Sequence, residues 1–143
     1  MMSQHREGGS VDPRYFRFSF SHLLISMLLL LVLVFIALFV QDSFIRPTLG
    51  DVLVVVWLYF VIASMVNLPS NIIACATVFL AFSVEVSQYL RLGPLLGLES
   101  GSPLSIILGA TFDWMDLVAY SVGGVVCLLL GAKQQKTKAV IYE

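Results

Sequence analysis

Two groups of polar side chains stand at helical spacing in an otherwise apolar chain. Glu85 and Gln88 are three residues apart, and Asp113, Asp116 and Tyr120 follow one another at intervals of three and four. Residues at these intervals share one face of a helix. Carboxylate, amide and phenol groups gathered in this way can bind a polar ligand. The carboxylates of Glu85, Asp113 and Asp116 are also the oxygen ligands that a divalent cation prefers.

Three further charged residues accompany these groups. Arg91 lies beyond Gln88 on roughly the same side of its helix, nearer water. Pro47 and Gly50 predict a turn, after which Asp51 is expected to cap the next helix. Arg46 is expected either to pair with a nearby aspartate or to reach the acids of the other helices. The candidate binding residues are therefore Arg46, Asp51, Glu85, Gln88, Arg91, Asp113, Asp116 and Tyr120.

The composition requires that membrane-spanning helices position these residues. Of 143 residues, 59% are hydrophobic and 12% are charged, and the mean hydropathy is +0.94. A soluble domain is nearer half apolar and a quarter charged, and a disordered chain is more polar still. Two cysteines exclude a disulfide scaffold, and a net charge of −1 excludes a basic surface for nucleic acid. An integral membrane protein remains.

Four spans are predicted from the runs without charge. Residues 18–40 would form a helix of about 34 Å, enough to cross a hydrocarbon core of about 30 Å. This run is too long for a signal peptide and lacks a small-x-small cleavage site, so we expect it to be retained. The run 52–84 is too long for one helix, and the polar turn Asn67–Asn71 divides it. The predicted spans are about 18–40, 52–68, 70–90 and 114–132, between tails at 1–14 and 133–143.

The segment between the third and fourth spans is apolar but too broken by glycine and proline to cross the membrane. Ser102 and Pro103 predict an N-cap and the first residue of a short helix over about 104–110. An interfacial or re-entrant half-helix and a surface loop on the lipid headgroups both fit this pattern. The predicted fold is thus an all-α, polytopic four-transmembrane-helix bundle with a short half-helix before the last span.

Small residues in the spans are assigned to helix packing. Gly123 and Gly124 are expected to let the fourth span approach another helix closely, the third in particular, and Gly131 lies further along the same helix. Cys75 and Cys127 are expected to be packing residues rather than a redox pair.

The distribution of lysine and arginine predicts the orientation. Six of the eight basic residues lie before the first span or after the fourth, and four spans place these two ends on the same side. These six are Arg6, Arg14, Arg17, Lys133, Lys136 and Lys138. Because cytoplasmic segments carry the excess of positive charge, both termini are expected in the cytoplasm. The candidate binding residues then lie at the outer end of the protein.

Three segments carry a family resemblance. Ile45–Val55 (IRPTLGDVLVV), Val84–Gln88 (VEVSQ) and Leu108–Gly123 (LGATFDWMDLVAYSVG) resemble a bacterial family of small inner-membrane proteins catalogued as a domain of unknown function. That family is similar in turn to the VanZ-like superfamily, named for a teicoplanin-resistance protein. The resemblance covers about residues 15–131. It implies a four-helix protein of the bacterial inner membrane and cell envelope, with a link to antibiotic resistance and with no established reaction.

These patterns favour a non-enzymatic binding module that holds a lipid headgroup, a lipid-linked envelope precursor or a glycopeptide. The alternatives are a structural partner whose acids pair with Arg46 and Arg91, and a membrane enzyme that uses a divalent cation on a lipid-linked substrate. Four spans without an inverted repeat argue against a self-contained transporter. We expect membrane lipids as neighbours, no nucleic acid, and no cofactor beyond such a cation. The oligomeric state stays open.

Overall fold

A computed structural model describes residues 16–108 and 110–141, which contain helices and no strand. The helices are α1 Phe20–Phe39, α2 Ile45–Met65, α3 Ser70–Tyr89, α4 Leu92–Leu95, α5 Pro103–Leu108 and α6 Trp114–Ile141. The helices α1, α2, α3 and α6 are long and apolar enough to cross a membrane. The protein is therefore an all-α, multi-pass membrane protein, as predicted.

The centre of the bundle is formed by α2 and α6. Helix α2 packs against both α1 and α6, and α3 packs mainly against α6. Within the described ranges α1 packs against α2 alone, so it lies at the edge of the bundle. The core between the helices includes Val55 and Tyr59 of α2, Ile73 of α3 and Cys127 of α6.

Helix α2 begins at Ile45, seven residues before the predicted start of its span. The Asp42 carboxylate accepts hydrogen bonds from the N–H groups of Phe44 and Ile45, each at 2.9 Å. Pro47 lies in the first turn, where its missing N–H leaves no intrahelical bond unmade. The predicted turn at Pro47 and the predicted cap at Asp51 are therefore wrong. Asp42 caps this helix, and Asp51 lies inside it.

The Asp42 cap should make the first turn of α2 sensitive to acid. Hydrogen bonds from the backbone of Ile45 and Phe44 hold the pKa of Asp42 below its ordinary value. A lowered pKa means that the cap stabilises the turn above the unfolded pKa of about 3.9 and stops doing so as the pH falls through the folded value. We expect the Phe44 and Ile45 amides to lose protection against hydrogen exchange below about pH 4. Asp42→Asn should show no such pH step, and a native chain whose protection at these two amides does not fall at any pH below about 4 would contradict the assignment.

The segment between α3 and α6 forms two short helices that pack on the end of α3 and on each other. Arg91 adopts a left-handed conformation, with φ of 51°, where α3 ends. The predicted cap of the half-helix is confirmed, because the Ser105 N–H donates to Ser102 Oγ at 3.2 Å and α5 begins at Pro103. Helix α6 continues nine residues past its predicted end at 132, since the lysines and glutamines there are good helix formers.

The two central glycines of α6 face different helices. A Cβ on Gly123 would lie 2.9 Å from the backbone oxygen of Val52 and 2.9 Å from the Val55 Cβ, both on α2. A Cβ on Gly124 would overlap the side chain of Val78 on α3. The predicted contact with the third span is thus correct for Gly124, whereas Gly123 faces the second. The pair lets α6 pack closely between α2 and α3.

Candidate functional site

Four of the predicted binding residues come together from three helices. They are Asp51 of α2, Glu85 of α3, and Asp116 and Tyr120 of α6, hereafter the acidic cluster. The Tyr120 hydroxyl donates to Glu85 Oε1 at 3.2 Å. The carboxyl groups of Asp51 and Asp116 are in hydrogen-bonding contact, and both act electrostatically on their neighbours in the cluster. The spacing within α6 and the close packing of α6 between α2 and α3 produce this arrangement.

Glu85 is the most enclosed member of the acidic cluster, with only 1% of its surface exposed. The backbone amide of Asp113 lies near its carboxyl group. The second oxygen, Oε2, nevertheless has no hydrogen-bond partner in the described part of the chain. Buried polar atoms are almost always paired, and an unpaired carboxylate oxygen is costly. Oε2 is therefore a buried acceptor without a donor among the described residues.

The expected arginine counter-charge is not in place. Over residues 16–108 and 110–141 no ion pair joins a basic to an acidic side chain, and both Arg46 and Arg91 are exposed. Carboxyl groups as close as those of Asp51 and Asp116 repel one another when both are ionised, unless a proton or another cation intervenes. Among the described residues, the acidic cluster thus has no basic side chain to balance its carboxyl groups.

The remaining predicted residues lie outside the acidic cluster. Gln88 Nε2 donates to the backbone oxygen of Ile107 at 2.7 Å. This bond connects α3 to the segment between α3 and α6, hereafter the linker. Gln88 and Arg91 line a separate hollow of about 520 Å³ beneath the linker. Asp113 borders the acidic cluster, because its charge acts on Asp51 and Glu85. Its side chain is nevertheless exposed, and its Oδ1 accepts from the Met115 N–H at 2.9 Å. Asp113 therefore caps the start of α6.

A groove between the second half of α1 and the first turns of α2 leads to the cluster. Its volume is about 790 Å³, and Asp51 lines it as well as belonging to the cluster. The α1 wall includes Leu33, Val34 and Ala37, while Arg46 lies at the polar end. The groove was not predicted, because a turn was expected at Pro47 and Gly50, with Arg46 before it and Asp51 as the cap after it. The only sequence signal for the earlier start of α2 was Asp42 followed by Pro47, a pair that also suits a surface turn.

The acidic cluster does not match a metal centre. The described residues contain no group of three or more His, Cys, Asp or Glu side chains placed to hold a metal ion. Asp113, one of the three oxygen ligands proposed from the sequence, is occupied as a helix cap. We therefore derive no chemistry through a divalent cation.

Comparisons with known proteins give one match. The model of a family described as "Protein of unknown function (DUF2809)" matches residues 40–124, a range that includes every member of the acidic cluster. No curated protein and no solved structure matches the chain.

Proposed function

We propose that the chain, which belongs to the DUF2809 family of proteins of unknown function, is a membrane-resident binding protein whose acidic cluster receives the cationic group of an amphiphilic ligand. The observation that carries this proposal is the buried, unpartnered Oε2 of Glu85. The contact between Asp51 and Asp116 supports it, because a bound cation relieves their repulsion. The groove that Asp51 lines supplies an apolar surface for the rest of the ligand.

The setting that we propose is the bacterial inner membrane, with the acidic cluster near the outer leaflet. The resemblance to VanZ-like proteins supports an envelope ligand, such as a lipid headgroup, a lipid-linked precursor or a glycopeptide. The alternative of a structural partner requires that the acids pair with Arg46 and Arg91. In the described ranges neither arginine forms an ion pair with an acid, so this alternative is less well supported.

The proposed orientation can be tested with reporters. The excess of basic residues on both tails predicts that each tail lies in the cytoplasm. A green fluorescent protein fused after Glu143 is expected to fluoresce, and alkaline phosphatase fused there is expected to be inactive. The reverse pattern would place the acidic cluster at the cytoplasmic end.

The binding proposal predicts stabilisation by an amine-bearing amphiphile. Dodecylamine, added at low concentration to the protein in neutral detergent micelles, should raise the melting temperature, whereas dodecanol of the same chain length should not. A ligand at 100 times its dissociation constant stabilises the folded state by about 2.7 kcal/mol. Asp51→Asn and Glu85→Gln should remove the amine-dependent shift.

Glu99→Gln is the matched control for these variants. Glu99 is an exposed acid on the linker, outside the acidic cluster. Its replacement removes one negative charge and should leave the dodecylamine shift unchanged. If all three variants respond as the native chain does, or if dodecanol stabilises as well as dodecylamine, the acidic cluster does not bind the amine.

A further inference from the structure

We infer that the ligand is a phospholipid whose headgroup carries a primary ammonium group beside its phosphate. In this arrangement Arg46 binds the phosphate, Asp51 faces the ammonium group, and an acyl chain lies in the groove between α1 and α2. The inference rests on the proposed function, since it names the amphiphile that the acidic cluster would receive.

The groove presents charges of both signs, as such a headgroup does. Arg46 and Asp51 both line it, and they are five residues apart on α2, about 7.5 Å along the helix axis. Asp42 also lines the groove, and the Oδ1 of Asp42 accepts from the first N–H groups of α2. The guanidinium of Arg46 has no ion pair among the described residues, and its fork of N–H groups suits two phosphate oxygens. Asp51 lies deeper and touches Asp116, so a headgroup held at Arg46 would turn its ammonium group toward the cluster.

The apolar part of the groove fits an acyl chain. Leu33, Val34 and Ala37 of α1 and Val54 of α2 line it. Helix α1 packs against α2 alone within the described ranges, so the groove opens at the edge of the bundle, where lipid has access. The groove thus has charged groups at one end and aliphatic walls at the other, which matches a phospholipid with its charged headgroup and its acyl chain.

The number of N–H donors argues for a primary ammonium group. An ammonium group has three donors, and Asp51, which lines the groove, brings its own carboxylate and the neighbouring carboxylate of Asp116 to that end of the groove. A quaternary trimethylammonium group is bulkier and has no N–H. An anionic headgroup without an amine would leave the repulsion between Asp51 and Asp116 unrelieved.

The test compares three lipids with identical dioleoyl chains: phosphatidylethanolamine, phosphatidylcholine and phosphatidylglycerol. The full-length protein is equilibrated with an equimolar mixture in detergent, and the lipids it retains are counted by native mass spectrometry. We expect retention of phosphatidylethanolamine to exceed that of each other lipid by about tenfold, the size of one charge-assisted hydrogen bond. Asp51→Asn should equalise phosphatidylethanolamine and phosphatidylcholine, and Arg46→Gln should lower the retention of all three.

The groove itself is tested by filling it. Ala37→Trp places a large ring among the groove-lining side chains and should lower the retention of all three lipids. Leu38→Trp is the matched control, because Leu38 is the next residue of α1, is 69% exposed and does not line the groove. Equal effects of the two tryptophans would remove the groove from the inference.

The outcomes separate the inference from the proposed function. If dodecylamine stabilises the protein but phosphatidylethanolamine is retained no better than the other lipids, the phospholipid inference is wrong and the amine site stands. If Arg46→Gln retains phosphatidylethanolamine as the native chain does, Arg46 does not bind its phosphate and the inference is also wrong. If neither dodecylamine nor phosphatidylethanolamine is preferred, the proposed function fails together with the inference.

Discussion

Glu85→Gln is expected to raise the melting temperature of the ligand-free protein while removing its response to dodecylamine. The native carboxylate is 1% exposed, and its Oε2 lacks a partner in the described chain. Glutamine keeps an oxygen that accepts from the Tyr120 hydroxyl, and its NH₂ group can donate to the carboxylate of Asp116 or Asp51. An unsatisfied buried polar group costs about 1–3 kcal/mol, so we expect the free energy of unfolding to rise by about 1 kcal/mol or more.

The sign of this change distinguishes a binding site from a structural cluster. Breaking a buried pair that holds helices together costs about 3–5 kcal/mol, so a structural cluster would lose stability in Glu85→Gln. A site that keeps an uncompensated charge for a ligand gains stability when that charge is removed. The measurement is thermal unfolding in detergent, with Glu99→Gln as the control for one lost surface charge. A clear fall in melting temperature for Glu85→Gln alone would support the structural hypothesis instead.

The parts of the fold that depend on local sequence were predictable. The long apolar runs predict the spans, and the polar turn at Asn67–Asn71 separates α2 from α3 where the structure separates them. The cap and first residue of α5 follow from Ser102 and Pro103. The approach of Glu85 to Tyr120 was also predictable, because helical spacing gives each face and the cost of carboxylates in lipid turns both faces inward.

The parts that depend on contacts between helices were not predictable in the same way. Proline is compatible both with a loop and with the first turn of a helix, so Pro47 alone could not place the start of α2. The residue that caps α2, Asp42, is equally compatible with a surface turn. Gln88 shares a helix face with Glu85, yet it lies about one turn nearer the linker and bonds Ile107 instead. The groove exists only because α1 packs beside α2, which no local pattern specifies.

Gly123→Leu is expected to lower stability more than Gly124→Leu does. Its first added carbon would meet the backbone oxygen of Val52, which cannot move without shifting α2. Overpacking of this kind costs about 1–3 kcal/mol, and a leucine exceeds the space by more than one methyl group. Thermal unfolding in detergent measures the loss.

The native cysteines provide a second, local measurement, because Cys127 of α6 is buried and Cys75 is exposed. In a Cys75→Ser background, a thiol-reactive dye should label Cys127 faster when Gly123 is replaced.

Alanine at three glycines provides the matched comparison for that prediction. At Gly50 of α2 an added Cβ meets nothing within 4 Å, so Gly50→Ala should be neutral or slightly stabilising. Gly124→Ala overlaps a side chain rather than backbone, so shortening that side chain with Val78→Ala should restore part of the lost stability. Such a rescue is not expected at Gly123, where the added Cβ meets the main chain of α2.

If alanine at Gly123, Gly124 and Gly50 gives equal melting temperatures and equal labelling of Cys127, α6 does not lie tightly between α2 and α3. The acidic cluster that this packing assembles would then lose its basis.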